Sequence, residues 1–228
     1  MLVSTPDDTA SARMGESIYR FALREIPGAF MRGWDVERDR LQARDLPLWH
    51  RSNPLLQSYA VSLAVAVLLV WFAGWLAIPF LLVHHVTAYW QLTSANYIEH
   101  YGLLRQQQAN GRYEPCQPHH SWNSNQVVSN LVLFHLQRHS DHHKNPLRRY
   151  QSLRHYDDLP SLPNGYLGMF VLAWVPRLWF NVMDKRLMAL SHIDGDLEKV
   201  NLEPRAAPSL WRRWGQLKSS EPTLGEPQ

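Results

Sequence analysis

Residues 55–83 read LLQSYAVSLAVAVLLVWFAGWLAIPFLLV, and this stretch decides the fold. No Asp, Glu, Lys or Arg occurs between Ser52 and Ile98. A helix crosses the hydrocarbon core of a bilayer with about 20 apolar residues, so an uncharged run of this length is enough for two crossings. Gly74 and Pro79 mark the turn between them, because both interrupt helical periodicity. The expectation is a transmembrane helical hairpin, with helices at about 54–74 and 77–98. The alternative is a very hydrophobic core helix pair in a soluble protein, and the absence of charge argues against it. A hairpin returns the chain to the side from which it entered. Both flanks are Arg-rich, so the positive-inside tendency puts them on the cytoplasmic side. Trp71, Trp75, Tyr89 and Trp90 suit interfacial or bundle positions.

Outward from the hairpin the chain turns polar. On the N-terminal side, Thr5-Pro-Asp-Asp suits a helix entry, with an early proline and acids in the first turn. Ile18, Phe21, Ala22 and Ile26 recur at helical spacing, and Pro27-Gly28 is expected to break or bend that helix before a second stretch over 31–43. The N-terminus has no basic segment followed by an apolar core, so it does not read as a signal peptide. On the C-terminal side, 106–125 reads as a loop and Gln126 to His143 as a helix through Val127, Val128, Leu131, Leu133 and Phe134. Residues 159–176 are uncharged but interrupted by Pro160, Pro163, Gly165, Gly168 and Pro176, which favours an interfacial or re-entrant segment over a full span. The expected organisation is one membrane domain over 1–204 followed by a flexible tail, 205–228.

Composition narrows the chemistry. The chain has 228 residues, a formal charge of +3 and one cysteine, Cys116. One cysteine excludes an intramolecular disulfide, a Cys-rich zinc site and a Cys-ligated iron–sulfur cluster, so a metal here would be held by nitrogen and oxygen. Lys and Arg are dispersed, so no contiguous basic stripe suggests a nucleic-acid partner. Nothing reads as a protein nucleophile, and no catalytic side chain is assigned.

The nitrogen donors are concentrated. Leu136-Gln-Arg-His-Ser-Asp-His-His143 holds His139, His142 and His143 at i, i+3 and i+4. On a helix the second and third lie about 60° and 40° either side of the first, so all three share a face. Neutral imidazole is the commonest transition-metal ligand. Asp141 falls about 160° away on that wheel and is not a fourth ligand from the same helix. Glu99-His100 closes the apolar run, and an ionisable pair there tends to face a bundle interior with a partner. His100 is therefore expected to complete a site with the later histidines. Glu99 and Asp141 are candidates to orient ligand histidines by accepting a ring N–H, and His135, four residues before His139 on the same face, is a candidate supporting or flanking polar contact. His119 and His120 read as hydrogen-bonding residues that shape the loop beside the site, with a direct ligand role as the alternative. Lys144, Arg148, Arg149 and Arg154 form a basic cluster suited to anionic lipid headgroups or to an acidic electron-transfer partner.

Asn96 to Arg105, Pro118-His-His-Ser-Trp-Asn-Ser124, Leu133 to His143 and Arg148-Arg-Tyr-Gln-Ser-Leu153 resemble the membrane-bound alkane hydroxylases (alkane 1-monooxygenases), in the fatty-acid-desaturase-like superfamily. Thr5 to Ser17 and Val182-Met-Asp184 extend the resemblance. It implies an all-α integral protein of the bacterial inner membrane, multi-pass, with His-bearing helices and the metal site on the cytoplasmic side. It further implies a non-haem di-iron centre that hydroxylates the terminal carbon of a medium-chain alkane with O2, using electrons from rubredoxin. His100, His139, His142 and His143 match the family's later ligand positions. The family's earlier boxes, His-Glu-x-x-His and a box ending in paired histidines, have no counterpart here. The chain thus resembles a C-terminal part, and the expectation is an incomplete iron site that is inactive alone. A membrane fatty-acid desaturase or hydroxylase and a non-catalytic membrane fragment are the other readings.

Overall fold

The computed structural model describes residues 2–215. Eight α-helices and three short 3-10 turns are present among these residues, with isolated bridges and no strand. The helices are α1 Ile18–Gln42, α2 Pro54–Ala73, α3 Ala77–His100, α4 Val127–Val132, α5 His139–Lys144, α6 Tyr166–Ala173, α7 Pro176–Met188 and α8 Ala207–Trp214. The all-α class is as expected. The described residues form two compact units, Leu23–Thr93 and 2–22 with 94–215.

In the unit Leu23–Thr93, α2 starts where the sequence says it should. The Asn53 side chain accepts hydrogen bonds from the Leu55 and Leu56 amides at 2.9 and 3.4 Å, and Pro54 occupies the first helical position. Gly74 ends the helix at φ 74°, a conformation that favours glycine. No residue of α2 is buried, which suits a helix whose solvent is lipid. Among the described residues α2 is the one helix that is by itself long and apolar enough to cross a membrane. The expected second span is helical over Ala77–His100, but His84, His85, Gln91 and the polar residues from Thr93 to Asn96 dilute its apolar character. The Thr93 hydroxyl donates to the Glu25 carboxylate at 2.8 Å.

The helix α1 runs unbroken through Pro27, where the sequence suggested a break. Proline removes one N–H from the ladder, which bends a helix more readily than it ends one when the flanking turns are sound. A second difference lies at 126–143. The helix α4 stops at Val132, and Phe134 and His135 take the left-handed conformation at φ 50° and 59°. The stretch expected as one helix is therefore two short helices joined by a turn.

The other unit has an aromatic core. Tyr97, Tyr101, Trp122, Tyr166 and Trp179 are fully or almost fully buried. Tyr97 packs on Trp179 at 5.0 Å and on Phe21 at 5.5 Å between ring centroids. Each such side chain contributes about 1.5–3 kcal/mol by burial, and the tilted pairs add to that. Gly102 follows α3 at φ 72° against Leu187, where a Cβ would overlap the leucine. The N-terminal segment is laid against this core: the Gly102 amide donates to the Ala12 carbonyl at 2.9 Å and the Arg105 amide to the Ser4 carbonyl at 2.8 Å. The uncharged segment 159–176 contributes α6, which meets α7 at a 120° bend, in keeping with an interrupted segment. The tail expected from residue 205 begins as α8, with Leu210 buried beside Gly15; its remainder, 216–228, lies outside the described residues.

Candidate metal centre

His100 is the last residue of α3, and its neighbours fix the chain there. The Trp122 amide donates to the Glu99 carbonyl at 2.8 Å, and the Trp122 indole N–H to the Tyr101 carbonyl at 2.9 Å. Opposite, α5 is held by the 118–124 segment. The Ser140 amide donates to Asn123 Oδ1 at 3.0 Å, and Asn123 Nδ2 donates to Ser140 Oγ at 2.6 Å. The Ser124 amide donates to the Gln137 carbonyl at 3.0 Å, and Gln137 Nε2 to the Gln126 carbonyl at 2.8 Å. These bonds explain why the sequence block around Trp122 and the block around His139 occur together: one is the bracket of the other.

Between them three imidazoles converge. His139 Nε2 lies 3.1 Å from His100 Nε2 and 2.8 Å from His143 Nε2. Glu99 Oε2 lies 3.3 Å from the same His139 nitrogen. Two nitrogens bound to one metal at about 2.0–2.1 Å and at right angles are about 3 Å apart, so the observed spacings suit adjacent positions of one coordination sphere. His100 and His139 are buried and His143 is half-buried. Burial, and then the surrounding rings of His100, His143 and His142, hold His139 well below the ordinary imidazole range, the nearby Leu136 carbonyl opposing. Burial and the neighbouring His100 and His142 rings bring His143 down to about 3, against a small opposing effect of Asp8. These rings are therefore neutral at neutral pH, the form that binds metal.

Three buried polar atoms at the site lack a hydrogen bond: Glu99 Oε1, His139 Nδ1 and His143 Nδ1. An unpartnered carboxylate oxygen beside three facing imidazoles is costly unless a cation completes it. Imidazole and carboxylate together suit iron. The residues present therefore fit an iron ion, with His100, His139 and His143 as nitrogen donors and Glu99 as an oxygen donor.

Of the other expected site residues, three lie away from the converging nitrogens and one beside them. His142 is exposed, its ring 5.9 Å from that of His139, and it does not join the converging atoms. It lies in the same helix as His139 and His143, but its ring is exposed rather than turned into the cluster. Asp141 does not orient a ligand. Its buried carboxylate accepts from Arg148 at 2.6 and 2.7 Å, Asn145 Nδ2 at 2.8 Å, the Arg154 amide at 2.8 Å and the Tyr156 hydroxyl at 3.1 Å. Burial would raise its pKa, but these donors outweigh that and hold it below the usual carboxylate range. His135 also faces away: its Nδ1 lies 3.1 Å from the Tyr150 carbonyl, because the left-handed turn rotates it off the His139 face. Glu99 is at the site, but beside the Nε2 of His139 and not behind its Nδ1.

Two residues at the edge of the site carry no sequence signal. Ser4 is buried, with its hydroxyl 3.4 Å from His100 Nδ1. Glu114 Oε1 lies 3.3 Å from His120 Nε2. Burial, then repulsion from His119, His192, Arg105 and His100, brings His120 down to about 3. A lone Ser and a lone Glu in irregular segments become visible only once the chain is folded.

Comparison with known proteins adds the family. The fatty acid desaturase family model matches residues 2–183. The chain is 50% identical over 220 residues to alkane 1-monooxygenase 1 of Alcanivorax borkumensis, covering 96% of this chain and 54% of that protein. It is 52% identical over 201 residues to alkane 1-monooxygenase of Pseudomonas putida, covering 88% and 50%. With alkane 1-monooxygenase of Ectopseudomonas oleovorans it shares 49% identity over 213 residues, covering 93% and 53%. The chain spans about half the length of the curated relatives it matches.

Proposed function

Because the chain belongs to the fatty acid desaturase family, we propose that it carries the His100–His139–His143 part of the iron centre of a membrane alkane 1-monooxygenase. The observation that carries this is the convergence of three imidazole nitrogens on one another and on the Glu99 carboxylate. The overall reaction takes an alkane, O2, two electrons and two protons to a primary alcohol and water. Iron, when bound, supplies the activation of dioxygen that a terminal C–H bond requires. The chain's own residues hold it by neutral imidazoles, keep the site dry and fix the ligand rings. Trp122, Tyr97, Tyr101 and Tyr166 are buried in the same unit and exclude water around Glu99 and His100.

Rubredoxin is the proposed electron donor. Of the basic cluster, Arg148 is engaged by Asp141, whereas Lys144, Arg149 and Arg154 are exposed and suit an acidic protein surface or anionic lipid. The proposed setting is the bacterial inner membrane, with α2 and the apolar part of α3 in lipid and the Arg-rich flanks in the cytoplasm. Three imidazoles and one carboxylate suffice for a single ion, and a two-iron reaction takes ligands beyond them. The chain alone is therefore expected to bind iron without turning over alkane.

The test is iron content of the detergent-purified chain against His139→Ala. Wild type is expected to hold about one iron per chain and the variant much less; equal content would overturn the assignment of these residues. Octanol formed from octane by this chain with rubredoxin and its reductase, at the rate of a full-length relative, would refute the single-ion reading. The family's own name favours desaturation or hydroxylation of an acyl chain as a second reading. Product analysis separates it, since that reaction yields an unsaturated or hydroxylated acyl chain.

A further inference from the structure

Outside the converging imidazoles, a second cluster of donors stands at Glu114, His119 and His120, with the His192 ring 4.6 Å from that of His119. Its hydrogen bonds say what it does. The Gln117 amide donates to His120 Nδ1 at 2.9 Å, so that nitrogen carries the lone pair. In a neutral ring the proton then sits on Nε2, which faces Glu114 Oε1 at 3.3 Å. An Nε2 that bears a proton has no lone pair for a cation, so this cluster is a strut in which His120 faces the Glu114 carboxylate. Glu114 is itself fixed: the Gln106 amide donates to its Oε1 at 2.8 Å, and Arg105 Nε to its carbonyl at 2.6 Å.

The strut ends at His100. The His120 carbonyl lies 3.2 Å from His100 Nδ1 and also accepts from the Ser4 hydroxyl at 2.9 Å. Ser4 is fully buried and held at φ 55°, an uncommon conformation for a residue with a side chain. It is kept there from both sides, its amide donating to Ser11 Oγ at 2.8 Å and its carbonyl accepting from the Arg105 amide at 2.8 Å. Strain maintained by surrounding bonds is a mark of a positioned group. Among the three converging histidines, His139 and His143 have unbonded Nδ1 atoms, whereas His100 has its Nδ1 engaged.

We infer that Ser4, the His120 carbonyl and the Glu114 carboxylate form a positioning device that keeps the proton of His100 on Nδ1 and turns its Nε2 toward His139 and His143. As it concerns metal binding, the inference rests on the function proposed above; as it concerns the His100 ring, it stands on the hydrogen bonds of His120 and Ser4. A carbonyl can only accept, so it selects the tautomer that leaves Nε2 free to coordinate. Ser4, His120 and Glu114 touch no reacting atom and act through His100.

The test uses the full chain in detergent with two readouts. The first is the nitrogen-15 NMR shift of the His100 ring in metal-free protein, which reports the tautomer. The second is the affinity and visible spectrum of bound Co2+, used as the metal probe. Ser4→Gly is the informative variant, because it removes the hydroxyl while relaxing the backbone, so its thermal midpoint is expected to hold or rise. Glu114→Ala removes the acceptor for His120, and Glu114→Gln keeps one. Wild type and Glu114→Gln are expected to show the Nδ1-protonated form and like Co2+ spectra. Ser4→Gly and Glu114→Ala are expected to populate the other tautomer and to bind Co2+ about tenfold more weakly. An unchanged tautomer in Ser4→Gly and Glu114→Ala would overturn the inference. A tautomer shift in these variants, with wild type and His139→Ala binding Co2+ equally poorly, would support positioning and sink the metal reading.

Discussion

At the scale of single residues, the structure separates histidines that the sequence groups together. His142 and His143 are adjacent, but only His143 turns its Nε2 toward His139. His142→Ala is therefore expected to leave metal content near wild type while His143→Ala lowers it sharply, as read by metal analysis of matched preparations. The same burial sets a pH dependence. His120 and His143 are held down to about 3 and His192 to about 4, chiefly by burial, from an ordinary value of 6.5. Their folded values lie below their unfolded ones, so the unfolded chain takes up protons first as pH falls. The stability these neutral rings contribute is complete above pH 6.5 and is lost as pH falls from there toward 3. The thermal midpoint of the metal-free protein should decline over that window, and a flat profile from 6.5 to 4 would contradict the assignment. Imidazole chemistry and its approximate location were legible in the sequence, because residue type and local spacing are local facts. The partners of Asp141 were not: Arg148, Arg154 and Tyr156 reach it only after the chain has turned back on itself.

At the scale of elements, the boundaries that failed are those where tertiary hydrogen bonds overrode periodicity. Val127, Leu131 and Phe134 do recur at helical spacing, but they are exposed, and the helix ends at Val132. Buried Gln137 must instead reach the Gln126 carbonyl and offer its own carbonyl to Ser124, and the left-handed turn at Phe134–His135 precedes it. By contrast, Asn53-Pro54 and Gly74 act through their own backbone, and α2 begins and ends where they stand. One close approach near the site is at Gly102, where a side chain would overlap Leu187 of α7. Gly102→Ala adds both that clash and an unfavourable positive φ, and should cost about 2–4 kcal/mol of stability. A Leu187→Ala change made in the same chain should recover part of the loss in an unfolding measurement, since it makes the room that the new methyl needs.

At the scale of the whole molecule, fold class followed from charge and apolar length, whereas the division into two compact units did not. An uncharged stretch reports the solvent it expects, but not where one packed unit gives way to the next along continuous helices such as α1 and α3. The proposed topology can be checked with the chain's single cysteine. Cys116, half-buried, and a cysteine introduced by Asp45→Cys, in an exposed turn, should both be labelled by a membrane-impermeant thiol reagent applied from the cytoplasmic side. Labelling of the two from opposite sides would exclude the hairpin.

The bond between Ser4 and the His120 carbonyl spans 116 positions of sequence, and that between His139 and His100 spans 39. Contacts of such separation form late, because the entropy of closing long loops must be met before they give anything back. During synthesis, Ser4 and His100 are joined to the chain before His139 and His143. Up to residue 138 the chain carries one of the three converging imidazoles, His100. Under the proposed assignment, an ion shared by His100, His139 and His143 can be held only once the chain has been made through residue 143.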